Sequence, residues 1–453
     1  MKGNTHKHPT VVIKLGTSSI VDEKTHEPLL SILSTIVETA VKLHKEGHRV
    51  VIVSSGAIGV ALRRMDMEKR PKHLPRNQAL AAIGQCRLIS LWDSLFAHLR
   101  QPVAQILLTR NDIADRTQYL NAQNTFASLF DMGVIPIVNE NDTLSVSEIK
   151  FGDNDTLSAI TAAMVQADYL FLMTDVDCLY DKNPRTHADA KPIEVVEDIA
   201  SLEADVSSAG SNLGTGGMST KIVAARLATS AGVTTIITRS STPGNIANIV
   251  RYCQACKQGT ASASPSFPPT PAEDPLTRSI SSLYLDGPPK PPLHTRFLPD
   301  PHPIHDRYFW ILHGLAPHGT LYIDEGACRA LADKAGLLAV GVVDVKGSFG
   351  QQEAVRLVVV KRLPEDHPSG ELFEKTDPEP REVGRALVNY SAAEILRIRG
   401  LKSTDIHHKL GYADSEYVAL RQNISFHRHE KVNKTSTSHT PSPPDDSGAA
   451  TEN

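Results

Sequence analysis

Residues 10–19 read TVVIKLGTSS. Within Thr10–Leu15 every residue except Lys14 is β-branched or aliphatic, and Gly16 then breaks the run into small hydroxyl residues. A short apolar run that ends at a glycine turn predicts a strand covered on both faces. The pattern recurs at Arg49–Val53, Pro102–Leu108, Val134–Val138, Tyr169–Met173 and Val233–Thr238. Helix-like stretches separate the runs, at about 29–46, 78–99, 121–132, 156–167 and 219–231. Strands alternating with helices predict an α/β unit built on a mostly parallel sheet. Ligands of such sheets bind beyond the carboxyl ends of the strands, so the residues that follow each run carry the functional information.

The chain has 453 residues, with Lys+Arg minus Asp+Glu equal to 47 − 51 = −4. That balance argues against a bulk nucleic-acid or polybasic membrane binder. Five cysteines make no disulfide framework and favour a reducing compartment. The polar start MKGNTHKHPT lacks a signal-peptide core, and no apolar run approaches 18 residues. A soluble cytoplasmic protein is the expectation. About a dozen of the 29 prolines crowd into 265–303. The expected organisation is a large α/β domain at 9–257, a Pro/Ser-rich linker at 258–306, a second folded domain at 307–426 and a disordered tail at 427–453.

Six loops follow strands or precede helices: KLGTSS (14–19), SSGAIG (54–59), NENDT (139–143), FGDND (151–155), TDVD (174–177) and GTGGMSTK (214–221). Taken singly, each reads as a turn, with Asp155 as a helix cap and Asp142 as a turn residue. Taken together, glycine-rich loops ahead of helices offer backbone N–H donors to phosphate. Lys14 and Lys221 add positive charge, and Asp142, Asn154 and Asp155 add oxygen and amide groups. This mixture suits phosphoryl transfer, where catalysis is positioning and charge neutralisation. GTGGMSTK is not a Walker A loop, and the protein-kinase motifs are missing.

The set VVIKLGTSS, VIVSSGAIG, NENDT, FGDNDTLSA, TDVDCLY and GTGGMSTK resembles the amino acid kinase family, in particular members that phosphorylate free glutamate. The resemblance implies a three-layer α/β/α fold, ATP with Mg²⁺, and L-glutamate as acceptor in the first step of proline synthesis. It assigns catalysis to Lys14, Lys221 and Asp155, and glutamate binding to Ser55, Asp142 and Asn154. Nucleotide binding falls to Lys14, Gly16, Thr174, Asp175, Thr215, Gly216, Gly217, Met218, Ser219, Thr220 and Lys221, with no direct metal ligand assigned. It also implies self-association, a reductase that consumes γ-glutamyl phosphate, and feedback inhibition by proline, for which Asp112 and Glu148 are candidates. Another amino acid kinase substrate, such as acetylglutamate, aspartate, carbamate or UMP, is the nearest alternative.

GTLYIDEGACRAL, GLLAVGVVDVKGSFG and ALVNYSAAEILRIRG resemble a small, mainly β PUA domain. Such domains suggest RNA binding or a regulatory role. Residues 307–421 hold 15 basic and 16 acidic side chains, so no positive field favours RNA. The insertion at 364–381 is rich in Glu, Asp and Pro and reads as a solvated loop. Cys253-x-x-Cys256 has no second ligand pair and is not read as a metal site.

Overall fold

A computed structural model describes residues 8–144, 154–187, 189–199, 202, 217–261, 291–304, 306–363, 372–374, 382–413 and 415–427. Glu148, Thr215, Gly216, most of the expected linker and insertion, and the tail from 428 onward lie outside the described residues.

The first unit runs β1 (Thr10–Leu15), α1 (Leu30–Lys45), β2 (Arg49–Ser54), α2 (Ala57–Arg64), α3 (Leu74–Ala97), β3 (Val103–Leu108), α4 (Arg110–Ala114), α5 (Arg116–Asp131) and β4 (Ile135–Glu140). It continues through α6 (Asn154–Met164), β5 (Tyr169–Thr174), β6 (Leu179–Tyr180), β7 (Pro192–Ile193), β8 (Val195–Val196), α7 (Met218–Ser230), β9 (Thr234–Arg239), α8 (Asn245–Ala261) and β10 (Thr295–Phe297). Eight strands form one sheet in the order β3-β4-β2-β1-β5-β9-β10-β8. All neighbours are parallel except the antiparallel pair β9 and β10.

Strand alternation divides the core between the two faces. Val11, Ile13 and Leu15 of β1 pack with Leu33 of α1, Trp92 of α3 and Ile249 of α8. Val12 faces the other way, toward Phe126 of α5, Leu157 of α6 and Ala224 of α7. The expected three-layer α/β/α fold is borne out. By the same alternation Lys14 shares the face of Val12. Its charged tip emerges where the apolar layer ends and the amino ends of α6 and α7 begin.

Two features differ from the sequence expectation. The region read as a linker contains β10, whose Thr295 and Phe297 are fully buried. Its backbone pairs with Ile237 and Thr235 of β9 and with Val195 and Val196 of β8. Three residues among prolines give no periodic signal, yet the open edge of β9 supplies partners that composition cannot reveal. Residues 306–314 also belong to the first core. A short helix (Asp306–Phe309) passes into a π-helical turn (Trp310–Gly314), and Phe309, Trp310, Ile311 and Leu312 pack in one cluster with Phe126 and Phe297.

The C-terminal unit contains β11 (Gly319–Ile323), β12 (Leu337–Leu338), β13 (Val342–Gly347), β14 (Ala354–Val359), β15 (Glu382–Leu387), β16 (Tyr417–Ala419) and β17 (Ile424–Phe426). Five of these strands form a sheet in the order β13-β11-β14-β15-β17 around a separate core that includes Leu321, Leu357 and Ile395.

Candidate active site

The carboxyl ends of β4, β2, β1, β5 and β9 lie side by side, because these strands are parallel neighbours. The loops picked out from the sequence therefore converge on one edge. At its centre is Asp155, in the first turn of α6 and fully buried. Lys14 Nζ lies 2.5 Å from its Oδ1, and Lys221 Nζ lies 3.3 Å from its Oδ2. Both lysines are buried, at 4% and 7% exposure. The two cations named from separate motifs thus meet on the two oxygens of one carboxylate. Burial pushes the Asp155 carboxyl up, but the adjoining ammonium groups and the hydrogen bonds of Lys14 and Thr220 outweigh it and hold the group at about 2. The cluster carries two positive charges and one negative, a net +1 available to an anion.

Thr220 ties the loop before α7 to this cluster. Its Oγ1 lies 2.8 Å from Asp155 Oδ2 and 2.8 Å from the Gly217 carbonyl, and it accepts from the Gly217 N–H at 3.0 Å. Met218 and Ser219 form the rest of the first turn of α7. Gly16 borders the same space: a Cβ there would stand 3.8 Å from Lys14 Nζ. At the end of β5, Thr174 Oγ1 donates to Asp175 Oδ1 at 3.1 Å, and Asp175 forms an exposed ion pair with Arg185.

A second polar group flanks the cations. The loop after β2 turns through Gly56, whose φ of +101° lies in the left-handed region that glycine tolerates. The Ser55 N–H donates to the Leu15 carbonyl at 3.0 Å, fastening this loop to the end of β1. Asn154 Nδ2 donates to Ser55 Oγ at 2.8 Å and to Asn139 Oδ1 at 2.9 Å. Asn139 Nδ2 in turn donates to Gln85 Oε1 at 2.8 Å. Ser55 and Asn154 are two of the three residues expected to bind glutamate; Asn139 and Gln85 were not expected there. Asn139 opens the NENDT motif, so its position was visible though its role was not. Gln85 lies inside α3 and carries no local signal. Asp142 sits half-buried in the turn after β4.

The Asn154 Oδ1 atom is buried and has no hydrogen-bond partner among the described residues. An unmet buried acceptor costs about 1–3 kcal/mol, which a ligand that donates a hydrogen bond would recover. Asp112 serves a local purpose. Its carboxylate accepts from the Thr109 N–H at 2.6 Å while its own N–H donates to Thr109 Oγ1 at 3.2 Å, a capping box at the start of α4.

Among the described residues no group of three or more His, Cys, Asp or Glu is arranged to hold a metal. The central carboxylate already faces two ammonium groups.

The profile of the amino acid kinase family matches residues 9–239, and that of the PUA domain matches residues 319–410. The chain is 52% identical over 427 residues to a probable glutamate 5-kinase of Schizosaccharomyces pombe, covering 94% of this chain and 95% of that protein. It is 44% identical over 417 residues to a glutamate 5-kinase of Cyanothece sp., covering 92% of this chain and 98% of that protein. Among solved structures, the carbamate kinase from Giardia lamblia bound to AMP-PNP aligns with a TM-score of 0.40 at 18% identity, over 65% of this chain and 99% of that one.

Proposed function

Since the chain belongs to the amino acid kinase family, within its glutamate 5-kinase branch, we propose that it transfers the terminal phosphoryl group of ATP to the side-chain carboxylate of L-glutamate. The observation that carries this reading is the convergence of Lys14 and Lys221 on Asp155. The acceptor carboxylate is ionised near neutral pH, so the reaction needs no general base. Its difficulty is the approach of an anion to a polyanion. Lys14 and Lys221 stabilise the phosphoryl group in flight, and Asp155 holds both ammonium groups in place. Gly217 to Lys221, with Thr215 and Gly216, Gly16, Thr174 and Asp175, hold the nucleotide. Ser55, Asp142 and Asn154 hold glutamate. Mg²⁺, when bound, supplies further neutralisation of the nucleotide phosphates.

The same reading makes the product an acyl phosphate, which a reductase would consume on the way to proline. It includes inhibition by proline, self-association and a cytoplasmic location; no helix among the described residues is long and apolar enough to cross a membrane. The test is ATP-dependent acyl-phosphate trapping by hydroxylamine with glutamate, acetylglutamate and aspartate. Hydroxamate should form with glutamate alone, and proline should suppress it. Trapping with acetylglutamate or aspartate in place of glutamate would overturn the substrate assignment.

A further inference from the structure

The orientation of the Asn154 amide can be deduced without reference to any ligand. A backbone N–H only donates, and that of Glu140 lies 2.9 Å from one side-chain atom of Asn139, which must therefore be its oxygen. The same oxygen receives Asn154 at 2.9 Å, so the Asn154 atom facing it must be the nitrogen. The remaining atom of the Asn139 amide is then a donor, satisfied by Gln85 Oε1 at 2.8 Å. With its nitrogen committed to Asn139 and Ser55, Asn154 has its buried carbonyl oxygen left to offer, an atom with no partner among the described residues.

We propose that Gln85 and Asn139 are positioning residues that lock the Asn154 amide in this orientation, so that the acceptor site favours a dicarboxylate bearing a free amine over one without. The inference rests on the glutamate-kinase reading and adds the element that selects for the amine. A carbonyl oxygen accepts from an ammonium and gives nothing to a methylene at the same position. Rotation of the Asn154 amide would present N–H groups there instead and would repel the ammonium. The lock works at a distance: the fixed point is the backbone N–H of Glu140, and Gln85 reaches the Asn139 amide across 54 residues of sequence.

The test compares glutamate with glutarate, the five-carbon dicarboxylate that lacks the amine, in the trapping assay. Asn139→Leu removes the fixed acceptor. It should reduce the kcat/KM ratio of glutamate over glutarate about tenfold or more, through a higher glutamate KM, while kcat at saturation and the KM for ATP change little. Asn139→Asp keeps an oxygen toward Glu140 and Asn154 and should recover most of the ratio. Gln85→Leu should shift the ratio in the same direction by less, and Gln85→Glu, still an acceptor for Asn139, should restore it. The Gln85 pair alters a half-buried helix position and keeps the test decisive should Asn139→Leu fail to fold. An unchanged ratio in Asn139→Leu and Gln85→Leu, or equal losses in the Leu and Asp variants, overturns the lock alone. Wild-type protein that forms no hydroxamate from glutamate overturns the functional reading together with it.

Discussion

Asp155 keeps its charge inside the protein because two cations meet it there. Removing either cation leaves the carboxylate under-compensated, and breaking a buried pair of this kind costs about 3–5 kcal/mol. Catalysis should suffer more selectively. Lys221→Ala should lower kcat by about 10²–10³-fold with little change in glutamate KM, because the lost charge acts on the phosphoryl group in transit rather than on the bound acceptor. Steady-state kinetics at saturating ATP would check this; near-normal turnover would reject the role. At this scale the sequence was informative about charged and glycine residues, which announce themselves in short motifs. It was silent about amide partners. Gln85 meets Asn139 only because α3 packs beside β4, and a glutamine in a helix has no local reason to be singled out.

Each of the six main strands begins and ends within two residues of its expected position, since a buried parallel strand is a continuous apolar run. The misses have a common cause. Helix α2 has eight residues and follows the loop closely, so its period is too short to see. Strands β6, β7 and β8 have two residues each and exist through pairing rather than propensity. The contact between α2 and α3 illustrates what pattern cannot convey. A Cβ added at Gly84 would stand 1.7 Å from the Ala57 carbonyl oxygen and 3.1 Å from Ala61 Cβ. Only glycine lets α3 lie this close to the start of α2. Gly84→Ala should push the helices apart and destabilise the protein by about 1–3 kcal/mol. Because Ala57 follows the Ser55 loop directly, glutamate KM should rise as well. Urea unfolding and kinetics on the same variant would measure both effects; wild-type values in each would show that the helices yield without strain.

The segment 306–315 packs in the first core and also meets the second unit. Trp310 Nε1 donates to the Ile113 carbonyl at 2.9 Å, and the Arg116 guanidinium lies 5.4 Å from its ring centre. On the other side, Arg385 Nη1 of β15 donates to the Leu315 carbonyl at 2.9 Å. Trp310→Phe keeps the apolar bulk and orphans the Ile113 carbonyl, so it should cost about 1–3 kcal/mol in urea unfolding; no loss would show that water replaces the bond.

His313 lies in the same joint. Burial, reinforced by His427 and Arg385, pushes its imidazole down to about 3 from an ordinary 6.5. The unfolded chain therefore binds the extra proton first as pH falls. The stabilisation from a neutral His313 is complete above about 6.5 and declines as pH drops toward 3. The urea midpoint should fall between pH 6.5 and 5, and His313→Gln should flatten that slope; equal slopes in the two proteins would remove His313 as the cause.

The expected boundary at residue 257 was drawn from proline content, and the fold does not respect it. Strand β10 returns after the Pro-rich stretch to cover β9 and to carry β8 at its far side. A catalytic fragment trimmed at that boundary would lose the clasp on its own sheet. It would expose a row of hydrogen-bonding groups ready to recruit neighbouring molecules into precipitates. Modularity in composition is thus a poor guide to where this polypeptide can be cut.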